Sequence, residues 1–199
     1  MGGAQDRLTL ASTSPQRRAI LEQLRIPFDV VPPDYVEDDP PDAEPAELVR
    51  RHAQGKARSV HADDRVTLGV DTTVVLDGRV HGKAADAEQA TRMLRELSGR
   101  THTVVSGLCL LGAGEPLVAH ELTDVTFRLL PPGLVETYVA SGEWEGRAGA
   151  YAIQGLGGRL VERIDGDYLN VVGLPGALLV SLLEHHAPAL LEAGDSHLR

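Results

Sequence analysis

The sequence predicts an α/β fold on a mixed, twisted sheet flanked by helices. Two observations carry the prediction. Apolar β-type runs alternate with amphipathic helical stretches along most of the 199 residues. A two-residue Asp77-Gly78 turn then sends one strand straight back on itself, so hairpins accompany crossovers. The length suits a single domain over 1–199, with its core in about 7–186 and a loosely ordered tail over 187–199. No internal repeat is visible.

The elements follow in order. Residues 7–12 read as a strand and 14–25 as a helix, with Ile20, Leu21 and Leu24 on one face. Residues 27–31 form a short second strand. Proline and acid in 32–45 (Pro32, Pro33, Asp38, Asp39, Pro40, Pro41) mark a solvated connector. A helix runs from about Pro45 to Val60, with Val49, Ala53, Lys56 and Val60 on its inner face. Residues 66–76 are the clearest strand, returning through 79–81. Asp86 and Gln89 resemble a capping box for a helix to Leu97, whose stripe is Ala87, Ala90, Met93, Leu94 and Leu97. Strands over 101–112 and 116–130 flank a Gly112-Ala113-Gly114 turn. A helix over 132–141, a glycine-rich segment over 146–158, a strand over 159–165 and a helix from Pro175 to about His186 complete the chain.

Composition excludes several classes. A net charge of −10 argues against non-specific binding of a nucleic-acid polymer, which needs a basic surface. The single cysteine, Cys109, forbids an internal disulfide and sits in an apolar run as a buried thiol. No stretch is apolar enough to span a bilayer, and the N-terminus lacks a signal peptide's apolar region, so a cytoplasmic protein with no membrane partner is expected. His185, His186 and His197 have no metal-ligand spacing and read as solvated. Neither a P-loop nor G-x-G-x-x-G occurs.

Candidate chemistry gathers at a few positions. In 10–18 an apolar strand meets Ser12, Ser14, Pro15, Arg17 and Arg18. Ser14 is a natural N-cap and Pro15 suits the first helical position. The turn therefore aims backbone N–H groups and a positive helix end at one spot, and two arginines add charge there: an anion site, with phosphate the usual anion. Asp71 interrupts an apolar strand and must be paired, metal-bound or catalytic. Of 19 basic residues only Lys56 and Lys83 are lysine. Lys56 falls on a stripe that should be apolar, so it either snorkels or points into a site.

Taken together, these segments resemble the Maf family of nucleoside triphosphate pyrophosphatases, also described as septum-formation inhibitors. The resemblance rests on residues 10–17, Glu37, Lys56, Gly69-Val70-Asp71-Thr72, Gly82-Lys83, Leu97-Ser98-Gly99-Arg100 with His102, 148–155 and 170–175. It implies an inosine-triphosphate-pyrophosphatase-like fold with two lobes around a cleft. It also implies cleavage between the α- and β-phosphates, with a divalent cation, magnesium or else manganese. Asp71 maps onto the family's proton acceptor, with metal binding as its other role. Glu37 becomes a metal or water-positioning carboxylate. Ser12, Ser14, Arg17, Lys56 and Lys83 hold the triphosphate. A triphosphate repels incoming hydroxide, so cations that neutralise it and its leaving pyrophosphate are what the chemistry needs.

Three family positions that separate dTTP/UTP enzymes from 7-methyl-GTP enzymes map onto Gln16, Thr72 and Gln154. Thr72 and Gln154 match the first subfamily. Gln16 matches neither, since the first carries arginine there and the second tryptophan. A glutamine amide offers a donor and an acceptor to the edge of uracil or thymine. Ala84 and Ser106 are smaller departures from the family's proline and threonine. The leading expectation is a dTTP/UTP pyrophosphatase serving the nucleotide pool or slowing division. The alternatives are a broader or 7-methyl-GTP-type enzyme, and a nucleotide-binding regulator of septation with negligible turnover. Homodimers are common in the family, and no interface is legible in this sequence.

Overall fold

The computed structural model describes residues 7–40 and 43–195; Pro41, His197 and the end of the tail lie outside them. In chain order the elements are β1 (Leu8–Ala11), α1 (Pro15–Gln23), β2 (Phe28–Val30), α2 (Pro45–Val60), β3 (Thr67–Leu76), β4 (Arg79–His81) and α3 (Ala87–Leu97). There follow β5 (Thr101–Leu111), β6 (Leu117–Phe127), α4 (Pro132–Ala140), β7 (Val161–Asp165), α5 (Tyr168–Val172), α6 (Gly176–His186) and α7 (Ala189–Asp195). The sheet order is β2-β1-β3-β5-β6-β7, with β4 paired to β3. β1 runs parallel to β2 and β3, whereas β3–β4 and β6–β7 are antiparallel, so the expected mixed α/β class is the one observed. The chain divides into two compact units, and β3, β5 and β6 each contribute residues to both.

The first unit comprises the described residues up to Asp71, those of 106–121 and those from Gly173 onward. Its helix starts are set locally. The Ser14 hydroxyl accepts from the Arg17 N–H and Pro15 opens α1. The Glu44 carboxylate accepts from the Glu47 N–H and Pro45 opens α2. What seats α2 is the absence of two side chains. A Cβ on Gly69 of β3 would stand 2.0 Å from the Ala53 carbonyl oxygen, and one on Gly107 of β5 2.2 Å from that of Val49. The helix backbone therefore lies directly on the strands, and Ala53 and Ala57 close against Cys109 and Leu111.

The second unit comprises 72–105 and 122–172. Its core joins Met93, Leu94 and Leu97 of α3 to Phe127, Tyr138, Trp144, Tyr151 and Leu160. Asp86 caps α3 by accepting from the Gln89 N–H, while the Gln89 side chain reaches back to the Ala85 N–H. Asp77 and Gly78 both have positive φ, the backbone that a type I′ hairpin turn requires.

Several boundaries differ from the sequence reading. β6 stops at Phe127, where its register against β7 shifts. β7 starts only at Val161, because Leu156–Arg159 forms a 3-10 turn. Ala87 is exposed in the first turn of α3, and Val60 is only half-buried. α5 was not anticipated; the Asp167 carboxylate starts it by accepting from the Leu169 N–H, and buried Asn170 donates to Thr123 and to the Val104 carbonyl. The tail expected to be loose instead forms α7 as far as Asp195, because Leu190 is buried and the helix packs on α6.

His102 on β5 is 2% exposed, edge-on to Phe127 and Tyr151, with Nε2 bonded to the Tyr151 hydroxyl at 2.9 Å. Burial pushes its pKa down to about 4; His81 adds to the depression and Asp124 opposes it. The folded state thus binds this proton less readily than the unfolded chain does. The stabilisation is complete above about pH 6.5 and disappears as pH falls through about 4, a loss of about 3 kcal/mol. His81, which burial also shifts down, acts in the same direction. Denaturant melts from pH 7.5 to 4 should show this slope, and His102→Gln should flatten it; an unchanged slope in that variant would assign the pH dependence elsewhere.

Candidate active site

The site of the first unit is built on three elements. β3 carries Asp71 two residues beyond Gly69, so both project to the same strand face, the one α2 covers. On α2, Lys56 follows the buried Val49 and Ala53 along one stripe, and it is itself only 9% exposed. Its Nζ lies 2.5 Å from Asp71 Oδ1 and 2.5 Å from Glu37 Oε1. Lys56 therefore points into the site, and the two carboxylate oxygens are at most about 5 Å apart.

Arg17 completes the cluster from α1. Its Nη1 donates to Ser12 Oγ at 3.1 Å and its Nε to the Gly173 carbonyl at 3.0 Å. Burial lowers its pKa, and the charges of Asp71 and Glu37 oppose that shift, so the guanidinium shares its surroundings with both carboxylates. Ser12 Oγ also accepts from the Ser14 N–H at 3.2 Å. With its acceptor positions used, what that hydroxyl offers a ligand is its proton. Ser14 Oγ contacts Gln16 Oε1 at 3.2 Å, which places Gln16 at the mouth of the same turn. Arg18, expected to add charge here, is exposed instead, because the next helical position turns it outward.

The loop bearing Glu37 is held by α2 through residues that the sequence reading passed over. The Tyr35 hydroxyl meets His52 Nδ1 at 3.0 Å, and His52 Nε2 meets Asp39 Oδ1 at 2.7 Å. A Cβ on Gly55 would sit 2.2 Å from the Tyr35 ring, so the ring lies flush on the helix. Arg51 also donates to the Asp38 carbonyl. The available signal was His52 on the same helix as Lys56, one turn earlier.

The remaining expected residues belong to the second unit. Thr72 follows Asp71 directly on β3 and is half-buried. Lys83 is exposed just after β4, where its backbone bridges Ala148. Gln154 is exposed on the loop between Tyr151 and the 3-10 turn at Leu156–Arg159. That loop is entered through two left-handed residues, Gly149 at φ +67° and Ala150 at φ +59°. A left-handed alanine costs on the order of 1 kcal/mol and persists only where its surroundings enforce it; here Ala150 is fully buried.

The profile described as Maf-like protein matches residues 7–186. The chain belongs to the Maf-like protein family. A dTTP/UTP pyrophosphatase from Nitratidesulfovibrio vulgaris is 48% identical over 178 residues, covering 87% of this chain and 85% of that protein. A dTTP/UTP pyrophosphatase from Symbiobacterium thermophilum is 46% identical over 189 residues, covering 94% and 97%. Among solved structures, a HAM1 protein from Coxiella burnetii superposes with a TM-score of 0.50 at 18% identity, over 89% of this chain and 98% of that one. That likeness concerns the fold alone.

Among the described residues, no three His, Cys, Asp or Glu side chains gather as a metal cage. Glu37 and Asp71 are nonetheless hard oxygen donors held close together. That suits a magnesium-like ion, which takes one or two carboxylates and fills its remaining positions with water and substrate oxygens. Among the described residues, no helix is long and apolar enough to cross a membrane.

Lys56 is the counter-charge that lets the two carboxylates stand together. Lys56→Met should lower stability by about 1–3 kcal/mol, by leaving like charges facing each other in a partly buried setting. Adding Asp71→Asn to that variant should recover part of the loss. Chemical denaturation of both proteins checks this; an undiminished Lys56→Met protein would mean that the carboxylates do not depend on the ammonium.

Proposed function

We propose that this Maf-like protein hydrolyses dTTP and UTP to the monophosphate and pyrophosphate. The observation that carries the reading is the meeting of Arg17, Lys56, Glu37 and Asp71 in one cluster although they are far apart in sequence. Relatives at 41–48% identity named dTTP/UTP pyrophosphatase support the substrate class.

Each residue's part follows from its chemistry. Arg17 and Lys56 meet the phosphate charge, with the Ser12 hydroxyl and the N–H groups that open α1 donating hydrogen bonds. Lys83 contributes a further compact cation. Asp71 takes a proton from the attacking water, and Glu37 orients that water or holds the cation. A triphosphate competes with the two carboxylates for the Lys56 ammonium and so releases Asp71 to act as a base. A divalent cation held by Glu37 and Asp71 would supply charge neutralisation on the phosphate oxygens. Base recognition is assigned to Thr72 and Gln154, whose amide can pair with both a carbonyl and an N–H of a pyrimidine edge.

The test is pyrophosphate release from dTTP, UTP, CTP, GTP and 7-methyl-GTP with magnesium and with manganese. Turnover should be greatest on dTTP and UTP, and Asp71→Asn should reduce kcat at least about 100-fold, the scale of a lost general base. Orthophosphate as the product would overturn the reading.

A second, broader specificity is favoured by one residue. Gln16 lacks the charge and donor fork of an arginine at the mouth of the α1 turn. Gln16→Arg should therefore raise the dTTP/CTP ratio of kcat/KM; an unchanged profile would remove position 16 from base selection.

A further inference from the structure

The loop that carries Gln154 is clamped on both sides by one pair of side chains. On its N-terminal side the Ala152 N–H donates to the Tyr138 hydroxyl at 3.0 Å. On its C-terminal side the Leu156 and Gly157 N–H groups donate to the two oxygens of Glu143, at 3.0 and 2.9 Å. Burial raises the Tyr138 pKa and the nearby Glu143 charge adds to the rise, so the two anchors are neighbours. A Cβ on Gly155 would stand 1.9 Å from Glu143 Oε1, which is why the carboxylate can reach past position 155 only if that residue is glycine. Gly157 is equally crowded, with its Cβ position 2.4 Å from the Ala152 carbonyl oxygen. Gln154 is therefore the exposed crest of a segment whose backbone is fixed at residues 152, 156 and 157.

We propose that Glu143 is a positioning residue for base selection: it fixes the loop so that the Gln154 amide is presented to the pyrimidine in a single orientation. This rests on the reading that Gln154 meets the base. The physical reason is preorganisation. A glutamine on a mobile loop must be ordered at each binding event, and ordering costs affinity. A carboxylate accepting two backbone N–H bonds is the strong, charge-assisted form of such an anchor. Glu143 is half-buried, so water can replace its hydrogen bonds when the carboxylate is removed; the loop is then loosened rather than the unit unfolded.

Steady-state kinetics of the full chain on dTTP, UTP and CTP test the proposal, with Glu143→Ala, Gln154→Ala and the double variant, each also melted thermally. Glu143→Ala should raise KM for dTTP and UTP about tenfold, narrow the dTTP/CTP ratio by a similar factor, and leave kcat within about twofold. The double variant should match Gln154→Ala alone in that ratio, because the two residues act through one contact. Glu143→Gln, which keeps the shape but weakens the anchor, should fall between wild type and Glu143→Ala, and it serves if the alanine variant does not fold. Gln154→Ala losing selectivity while the Glu143 variants keep it would overturn the clamp. Independent, additive losses in the double variant would overturn it as well. An unchanged ratio in Gln154→Ala would instead overturn the reading of Gln154, and the clamp with it.

Discussion

The close seat of α2 on the sheet is the constraint from which the charged cluster follows. Gly69 and Gly107 remove the side chains that would hold the helix off β3 and β5. A Cβ at either place would overlap a main-chain carbonyl, which cannot swing aside as a side chain can. With the helix backbone that close, Lys56 spans the distance to Asp71 with its nitrogen 2.5 Å from the carboxylate. The same helix holds the Glu37 loop through His52, Gly55 and Arg51. One helix therefore carries the cation and holds the Glu37 loop, while β3 supplies Asp71.

Electrostatics explains why such a cluster can exist in a protein of net charge −10. Two carboxylates this close repel, and a partly buried site screens that repulsion less than water does. Lys56 and Arg17 offset it. An anion of higher charge can draw the cations from the carboxylates. A salt bridge of this kind contributes little to net stability, because desolvation of the charges opposes their attraction. Its value lies in keeping four charged groups poised.

The second unit works by rigidity instead of charge. Its core is filled by aromatic side chains that meet edge to face, Phe127 with Tyr151 and both with His102. The loop with Gln154 leaves this core through the left-handed Gly149 and Ala150 and is tied down again at Ala152, Leu156 and Gly157. In the proposed function Gln154 gains from being held this way, because the ordering is done before a ligand arrives.

The sequence by itself determined the local features. The helix starts at Ser14-Pro15 and Asp86, the Asp77-Gly78 hairpin and the long strand broken by Asp71 all follow from short-range rules, and the observed elements agree with them. It also marked Lys56 as out of place on an apolar stripe. The sequence could not decide between a snorkelling and an inward lysine, because the answer depends on how near α2 comes to β3. Nor could it separate Arg17 from Arg18, find His52 under the Glu37 loop or show Glu143 beneath Leu156 and Gly157. Those facts arise from contacts across 13 to 156 positions, as in His52 with Asp39, Glu143 with Gly157 and Arg17 with Gly173. Periodicity and capping report only the few residues on either side of a position. The tertiary structure decided which charges share a site, because that depends on the depth to which one helix sinks onto two glycines.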